Sequence, residues 1–450
     1  MTIFVNDRDF YRKLGAIAIP IALQNLITVG VSMADTLMLG ALGEVQLSSA
    51  SIANQLLFML TILGFGLSGG ANVLMAQYWG KGDLVRMRSI MSLVYKISLG
   101  MSLIFAFLAL FCPQMVMSIF TTDPQVIEGG CEYLRIIGFT YPLYALSNNG
   151  VMLFRSSGKV RISVVVYSFS LVVNVFFNWV LIFGNLGAPR MEIAGAALAT
   201  SIARVCEFVI IAVYTLWVEK DIRFRLKDLL GIDREILQDF IRNATPILFN
   251  EFLWSSGASV VAIVIGRMGR EFVSANSINT VVMQLASVAI TGLANAAAAV
   301  IGNTIGEGDI PKAKERARTL VFISFIVGII AGTIIFVVRP YVVSLYNITE
   351  LTRGYTMSIM GITSVLVFFQ SITMITMIGV LRGGGDGRFV LVLDIFFMWT
   401  IAIPLGFCAG LVWGLPVPLV FLLLKCDEML KSFFSIHRIF KGDWIRDVTR

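Results

Sequence analysis

Apolar residues along this chain run almost unbroken for 18 to 26 positions at a time, and short polar clusters punctuate them. The runs fall at about 14–39, 51–76, 93–112, 132–154, 163–184, 196–217, 244–266, 276–301, 319–338, 355–379, 389–412 and 417–437. A helix needs roughly 20 apolar residues to cross the hydrocarbon core of a bilayer, so the pattern predicts twelve spans. Only helices and closed barrels satisfy their backbone in lipid, and the alternating pattern of barrel strands does not occur. The reading is an all-α membrane protein.

Composition supports it: 57% of the 450 residues are apolar and 14% charged, against about 25% charged in soluble chains. That excludes a soluble enzyme. Five cysteines (Cys112, Cys131, Cys206, Cys408, Cys426) never reach C-x-x-C spacing, and His437 is the one histidine. The pattern excludes a haem, iron–sulfur or zinc subunit. No G-x-x-x-x-G-K-[ST] is present to cradle a nucleotide, so transport by this chain must run on an ion gradient or on a partner, and no enzyme activity is expected. The apolar stretch after Lys13 is too long for a signal-peptide core and reads as a retained first span. Most of the 35 lysines and arginines lie in the N-terminus, the C-terminus and the loops after even-numbered spans, whereas the opposite loops hold Arg190, Arg267, Arg270, Arg339 and Arg353. The positive-inside rule then puts both termini in the cytoplasm. The net charge of +7 follows those loops and calls for no nucleic acid.

Sliding the chain by 226 positions aligns Pro20–Asp83 with Pro246–Asp309 without a gap, with identities at Pro20/Pro246, Gly80/Gly306, Gly82/Gly308 and Asp83/Asp309 among others. Glycine matches weigh most, because they mark tight turns and close helix contacts rather than shared apolarity. An offset of 227 pairs Arg155-Ser-Ser-Gly158 with Arg382-Gly-Gly-Gly385. The halves, 1–225 and 226–450 with a charged linker at about 219–242, are therefore parallel repeats of six spans, with the cargo site expected between them.

A charge at mid-membrane costs at least ~2.5–3.5 kcal/mol. Two carboxylates stand out: Asp35 in span 1 and Glu251 in span 7. Their repeat partners are Val261 and Asn25, so the two lobes carry non-equivalent sites. Asn174 and Asn178 lie one turn apart on span 5, at roughly the depth of Asp35 by a rise of about 1.5 Å per residue. A carboxylate with two amide carbonyls suits a hard cation or a buried proton; alternatively the asparagines tie helices together. Arg204-x-x-Glu207 and Lys425-x-x-Glu428, 221 residues apart, read as pairs that neutralise themselves on one helix face. Asp394 reads as interfacial, and Lys96, Arg135 and Glu132 as snorkelling near span ends. Gln55 and Gln284 are single amides that could contact cargo, and Gly383–Gly387 reads as a tight loop rather than a phosphate cradle.

Taken together, these residues resemble the multidrug and toxic compound extrusion (MATE) family of secondary transporters. The resemblance covers nearly the whole chain. It rests on Pro20-x-x-x-Gln24-Asn25, Asp35-Thr-Leu-Met-Leu-Gly40, Gln77-x-x-Gly80-x-Gly82-Asp83, Asn174-x-x-x-Asn178, Gly195–Thr200, Pro246–Gly257 with Glu251 and Trp254, and Leu381–Asp386. It implies two pseudo-symmetric six-helix bundles around a central cavity, and export of amphipathic, often cationic compounds in exchange for Na+ or H+. It also implies coupling roles for Asp35 and Glu251. Two departures are visible: Asn178 stands where many relatives have an aspartate, and Gln370, Ser371 and Thr373 stand where some carry an acid in span 10.

The expected function is a cation-coupled antiporter in the plasma (inner) membrane, a monomer in contact with lipid, with no cofactor beyond its coupling ion. Coupling falls to Asp35, Asn174, Asn178 and Glu251, with Asp35, Asn174 and Asn178 as a candidate Na+ site. Cargo falls to Gln24, Asn25, Gln55, Trp254, Gln284 and Gln370 in a V-shaped cavity between the lobes. A flippase for a lipid-linked precursor would favour cavity arginines, yet the mid-span basic residues read as paired with glutamates. A major-facilitator carrier would need a different loop at Gly80–Arg88. A non-transporting receptor or scaffold is the rival from another class.

Overall fold

A computed structural model describes residues 5, 7–121, 123–231, 234–346 and 348–446. The described chain is helical and turn, with no strand. Ten uninterrupted helical stretches are long and apolar enough to cross a membrane. The other two spans are interrupted: α5 (Pro124–Ile137) continues through a tight turn at Gly138–Thr140 into α6 (Tyr141–Ser156), and α15 (Val417–Leu424) breaks before α16 (Asp427–Lys441). The twelve-span, all-α reading holds.

Span 1 is α1 (Arg8–Gly40), span 2 is α2 (Glu44–Lys81) and span 3 is α3 (Leu84–Phe111), followed by the short α4 (Pro113–Phe120). Spans 5 and 6 are α7 (Arg161–Phe183) and α8 (Glu192–Val213); spans 7, 8 and 9 are α9 (Arg234–Arg267), α10 (Arg270–Gly306) and α11 (Ile310–Ser344). Span 10 is α12 (Glu350–Thr373), which continues to Arg382 with wider, π-type winding. Span 11 joins α13 (Gly387–Ile395) and α14 (Ile403–Phe407) through similar segments.

Two helices start ahead of their apolar runs where an aspartate caps the first turn. Span 3 was expected to begin near residue 93, yet α3 begins at Leu84, where the Asp83 carboxylate accepts a hydrogen bond from the Arg86 amide at 3.1 Å. Asp309 does the same for Lys312 at 3.1 Å at the start of α11. The residues before these caps, Gly82 (φ +75°) and Gly308 (φ +83°), occupy the left-handed region that glycine enters without strain. The repeated Gly-Asp is thus a helix stop followed by a helix start.

The described residues gather in two compact units. One holds Leu23–Met75 and Asp83–Ile241. Its core joins Leu39, Leu56, Leu60, Leu134, Ile137 and Tyr141, with the small side chains of Ala196 and Ala197 admitting α8 to close packing.

The other unit holds Met1–Ala22, Ala76–Gly82 and Arg242–Arg450. Gly328 and Gly332 of α11 lie against α12, where a methyl group on Gly332 would come within 2.3 Å of the Ser364 carbonyl oxygen. The ends of α2 and α10 cross in this unit. An added methyl on Gly80 would meet the Asn303 carbonyl oxygen at 2.2 Å, and one on Gly306 would meet the Gln77 carbonyl oxygen at 2.0 Å. Gln77 and Asn303 are themselves repeat partners, so the contact is reciprocal. Nearby, Asp386 is fully buried between Arg438 and Arg446, each at 2.9 Å. Trp444 is fully buried against Gly384. The loop at Gly383–Gly387 is therefore a packing surface for the tail, in keeping with its reading as a tight loop.

Candidate functional site

Two polar clusters sit within otherwise apolar helices, one in each unit. The first joins Asp35 on α1 to Asn174 and Asn178 on α7. The Asn178 amide nitrogen donates to Asp35 Oδ1 at 2.5 Å and to Asn174 Oδ1 at 3.1 Å, and Asn174 donates to Thr200 Oγ1 on α8 at 3.3 Å. The i,i+4 spacing places both asparagines on one helix face, and both are buried. The three residues that depth counting grouped are therefore together.

Two features of this cluster carry chemistry. Asp35 has no lysine or arginine within salt-bridge distance among the described residues. Asn178 is fully buried, and its Oδ1 has no hydrogen-bond partner. A buried acceptor without a donor costs roughly 1–3 kcal/mol, so a carboxylate next to such an oxygen makes a place for a positive group. Arg204 of α8, in the same unit, is already committed. It gives Glu207 two hydrogen bonds at 2.9 Å, lies over the Tyr144 ring at 4.5 Å, and Ser170 completes the Glu207 shell at 2.5 Å. This i,i+3 pair forms as its spacing predicts.

The second cluster lines a cavity of about 150 Å³ walled by α9, span 10, α13 and α16. Glu251 was expected as a lone carboxylate; instead Arg382 Nη1 lies 2.8 Å from it. The reason is the winding of span 10, which brings Arg382 from the helix end up to α9. The same guanidinium also donates to Asn250 Oδ1. Asn250 in turn donates to Asp394 Oδ2 at 2.7 Å, and Lys431 lies 2.5 Å from Asp394 and 2.6 Å from Asp427.

Other expectations need correction here. Asp394, read as interfacial, has polar partners in this network, Asn250 and Lys431. Lys425 does not pair with Glu428: the helix breaks at Lys425–Cys426, leaving Lys425 exposed at the turn, while Glu428 lines the cavity and accepts a hydrogen bond from Thr373. Trp254 and Gln370 line this cavity, which lies within one unit. Gln24 is buried and occupied by Arg155, whose Nη2 donates to it at 2.9 Å. Asn25 is half-buried, and Gln55 and Gln284 lie on exposed faces of α2 and α10, in neither cluster.

Residues passed over in the sequence complete the picture. Arg155–Gln24 and Arg382–Asn250 occupy matching repeat positions, so each unit has the same arginine–amide clamp. Asn250 could have been found as the repeat partner of Gln24, next to Glu251. Lys431 carried no such signal.

A family model for MatE matches residues 20–180 and 246–408. The chain belongs to the MatE family. The two matched segments correspond to the two repeats of this MatE chain. It is 24% identical over 411 residues to the probable multidrug resistance protein YoeA of Bacillus subtilis, covering 88% of this chain and 86% of the relative. It is 22% identical over 437 residues to the probable multidrug resistance protein NorM of Thermotoga maritima, covering 97% and 93%. In fold it is similar to a MATE crystal structure in the bent conformation, with a TM-score of 0.86, 20% identity and 96% of each chain covered. It is equally similar to an outward-facing multidrug resistance MATE family transporter of the MOP superfamily, with a TM-score of 0.85, 20% identity and coverage of 98% and 99%.

Proposed function

We propose that this MatE chain is a multidrug efflux antiporter of the plasma membrane, exporting amphipathic organic cations in exchange for Na+ or H+. The observation that carries the reading is Asp35 without a basic partner beside the orphaned Asn178 carbonyl oxygen. An ionised carboxylate deprived of water is costly unless a positive charge joins it. Binding of the coupling ion at Asp35, Asn174 and Asn178 removes that cost and biases the protein toward the state that holds the ion better. The resemblance of the chain to multidrug resistance proteins supports drug-like cargo.

Glu251 serves the second cluster differently. Arg382 already neutralises it, so an arriving cation must displace the guanidinium, and the tethered arginine becomes the competitor that returns when cargo leaves. Trp254 and Gln370 offer an aromatic face and an amide to the organic part of the cargo.

The test is purified protein in sealed vesicles with a fluorescent organic cation, lipid-linked sugars as an alternative cargo, and sodium and proton gradients imposed in turn. Asp35→Asn and Glu251→Gln are expected to be made and inserted normally yet to lose gradient-driven efflux. Wild-type efflux in both variants would overturn the assigned roles, and movement of the lipid-linked sugar alone would replace the antiporter with a flippase.

A further inference from the structure

Glu428 is the acid lining this cavity that has no lysine or arginine within salt-bridge distance among the described residues. The ionisable groups around it are Glu251 on α9, Arg382 at the end of span 10, Asp394 on α13, and Asp427 and Lys431 on α16. That makes four carboxylates, Glu428 included, against two cations. Arg382 is taken by Glu251, and Lys431 by Asp394 and Asp427. The corresponding glutamate of the other unit, Glu207, has its own arginine, whose Nη1 meets both carboxylate oxygens; Lys425, which stands where Arg204 does, is exposed at a turn.

Thr373 supplies Glu428 with its one hydrogen-bond partner among the described residues, a hydroxyl that can either donate or accept. Its hydroxyl oxygen lies within hydrogen-bond distance of two acceptors, the Gln370 backbone carbonyl at 3.1 Å and Glu428 Oε2. A hydroxyl has one proton to give but two lone pairs with which to accept. The Gln370 carbonyl also accepts the Met374 backbone N–H, so with Glu428 ionised the hydroxyl is free to donate to the carboxylate. With Glu428 protonated, the carboxyl donates to the Thr373 oxygen and the hydroxyl turns to the Gln370 carbonyl, so Thr373 can serve Glu428 in both states. The Gln370 side-chain oxygen, also on the cavity wall, is buried without any partner, so the wall beside the unneutralised Glu428 holds an acceptor that no donor meets.

We propose that Glu428 is a proton-carrying carboxyl of this cavity, which releases its proton when an organic cation enters. The carboxyl O–H bond breaks, the proton passes to water, and the charge of the incoming cation replaces it beside Glu428. The inference rests on the antiporter reading but places the exchangeable proton on span 12, a role that span 10, with Gln370, Ser371 and Thr373, cannot fill for want of an acid.

Proton release is read in weakly buffered detergent solution with a pH-indicating dye as tetraphenylphosphonium is added to the full chain. The wild-type protein should release protons, and Glu428→Gln should release about one fewer per chain, with Glu428→Asp restoring the count. Thr373→Val, which removes the shared hydroxyl while keeping the acid, should still release the proton but at a shifted pH. The infrared band of a protonated carboxyl should be present in the wild type and reduced in Glu428→Gln, and this reading needs no cargo. Equal proton release and an unchanged band in Glu428→Gln would overturn the proposal, as would release of bound Na+ in place of protons. If Glu428→Gln fails to fold, the Thr373→Val profile decides: one superimposable on wild type sinks the idea. Because none of these readouts uses efflux, normal efflux in Asp35→Asn and Glu251→Gln would refute the antiporter roles without touching the proton count.

Discussion

Arg382 holds Glu251 at 2.8 Å while donating from its other terminal nitrogen to Asn250. Both partners of the ion pair are largely shielded, with side-chain exposures of 13% and 24%. Removing either one alone leaves the other charge poorly solvated. In a double-mutant cycle, Arg382→Gln and Glu251→Gln should therefore couple by roughly 0.5–3 kcal/mol, read from thermal unfolding in detergent. Additive losses would mean that the pair is not an energetic unit.

Asn178→Asp would place a second carboxylate within hydrogen-bond reach of Asp35. Two acids that close cannot both ionise readily, so the pair should hold one proton to higher pH. The variant's efflux should lose activity on the acid side and move its pH optimum upward. An unchanged pH profile would show that Asn178 does not sense the charge on Asp35.

Arg204 should be intolerant of single substitution. Arg204→Leu strands the buried Glu207 carboxylate, and breaking a buried pair from one side costs roughly 3–5 kcal/mol. Arg204→Leu combined with Glu207→Leu should recover much of that loss, since two apolar side chains replace two desolvated charges. The comparison needs only melting curves of the three proteins; a double variant weaker than the single one would reverse the argument.

Asp7 offers a pH-dependent contribution outside the membrane. The hydrogen bond from Arg316, at 2.9 Å, outweighs the opposing effect of burial and holds the Asp7 carboxyl below its ordinary range. A depressed folded-state value means that the contribution is present above the ordinary value of about 3.9 and fades as pH falls through the lower folded value. Asp7→Asn should accordingly melt below wild type at neutral pH, and the two curves should converge under strong acid. A gap that persists there would assign the contact to packing instead of charge.

The sequence made the Asp35 cluster legible because each step was local: one charge in an apolar run, two asparagines at i,i+4, and a fixed rise per residue that matches their depths. Glu251 was found, but its partner was not. Arg382 lies 131 positions away at a helix end, and no periodicity shows that span 10 widens its winding after Thr373. The error at Lys425–Glu428 has a similar origin. Their i,i+3 spacing makes a pair only on a continuous helix, and the break at Lys425–Cys426 removes that premise. The glycine repeats, by contrast, gave the correct expectation of tight turns and close approaches, since Gly80, Gly82, Gly306 and Gly308 stand where a side chain has no room or the backbone turns left-handed.

The crossing of Gly80 over Asn303 and of Gly306 over Gln77 reads the same from either strand of the duplication. The joint is therefore self-complementary, and it ties the fate of each glycine to a carbonyl contributed by the other copy of the motif.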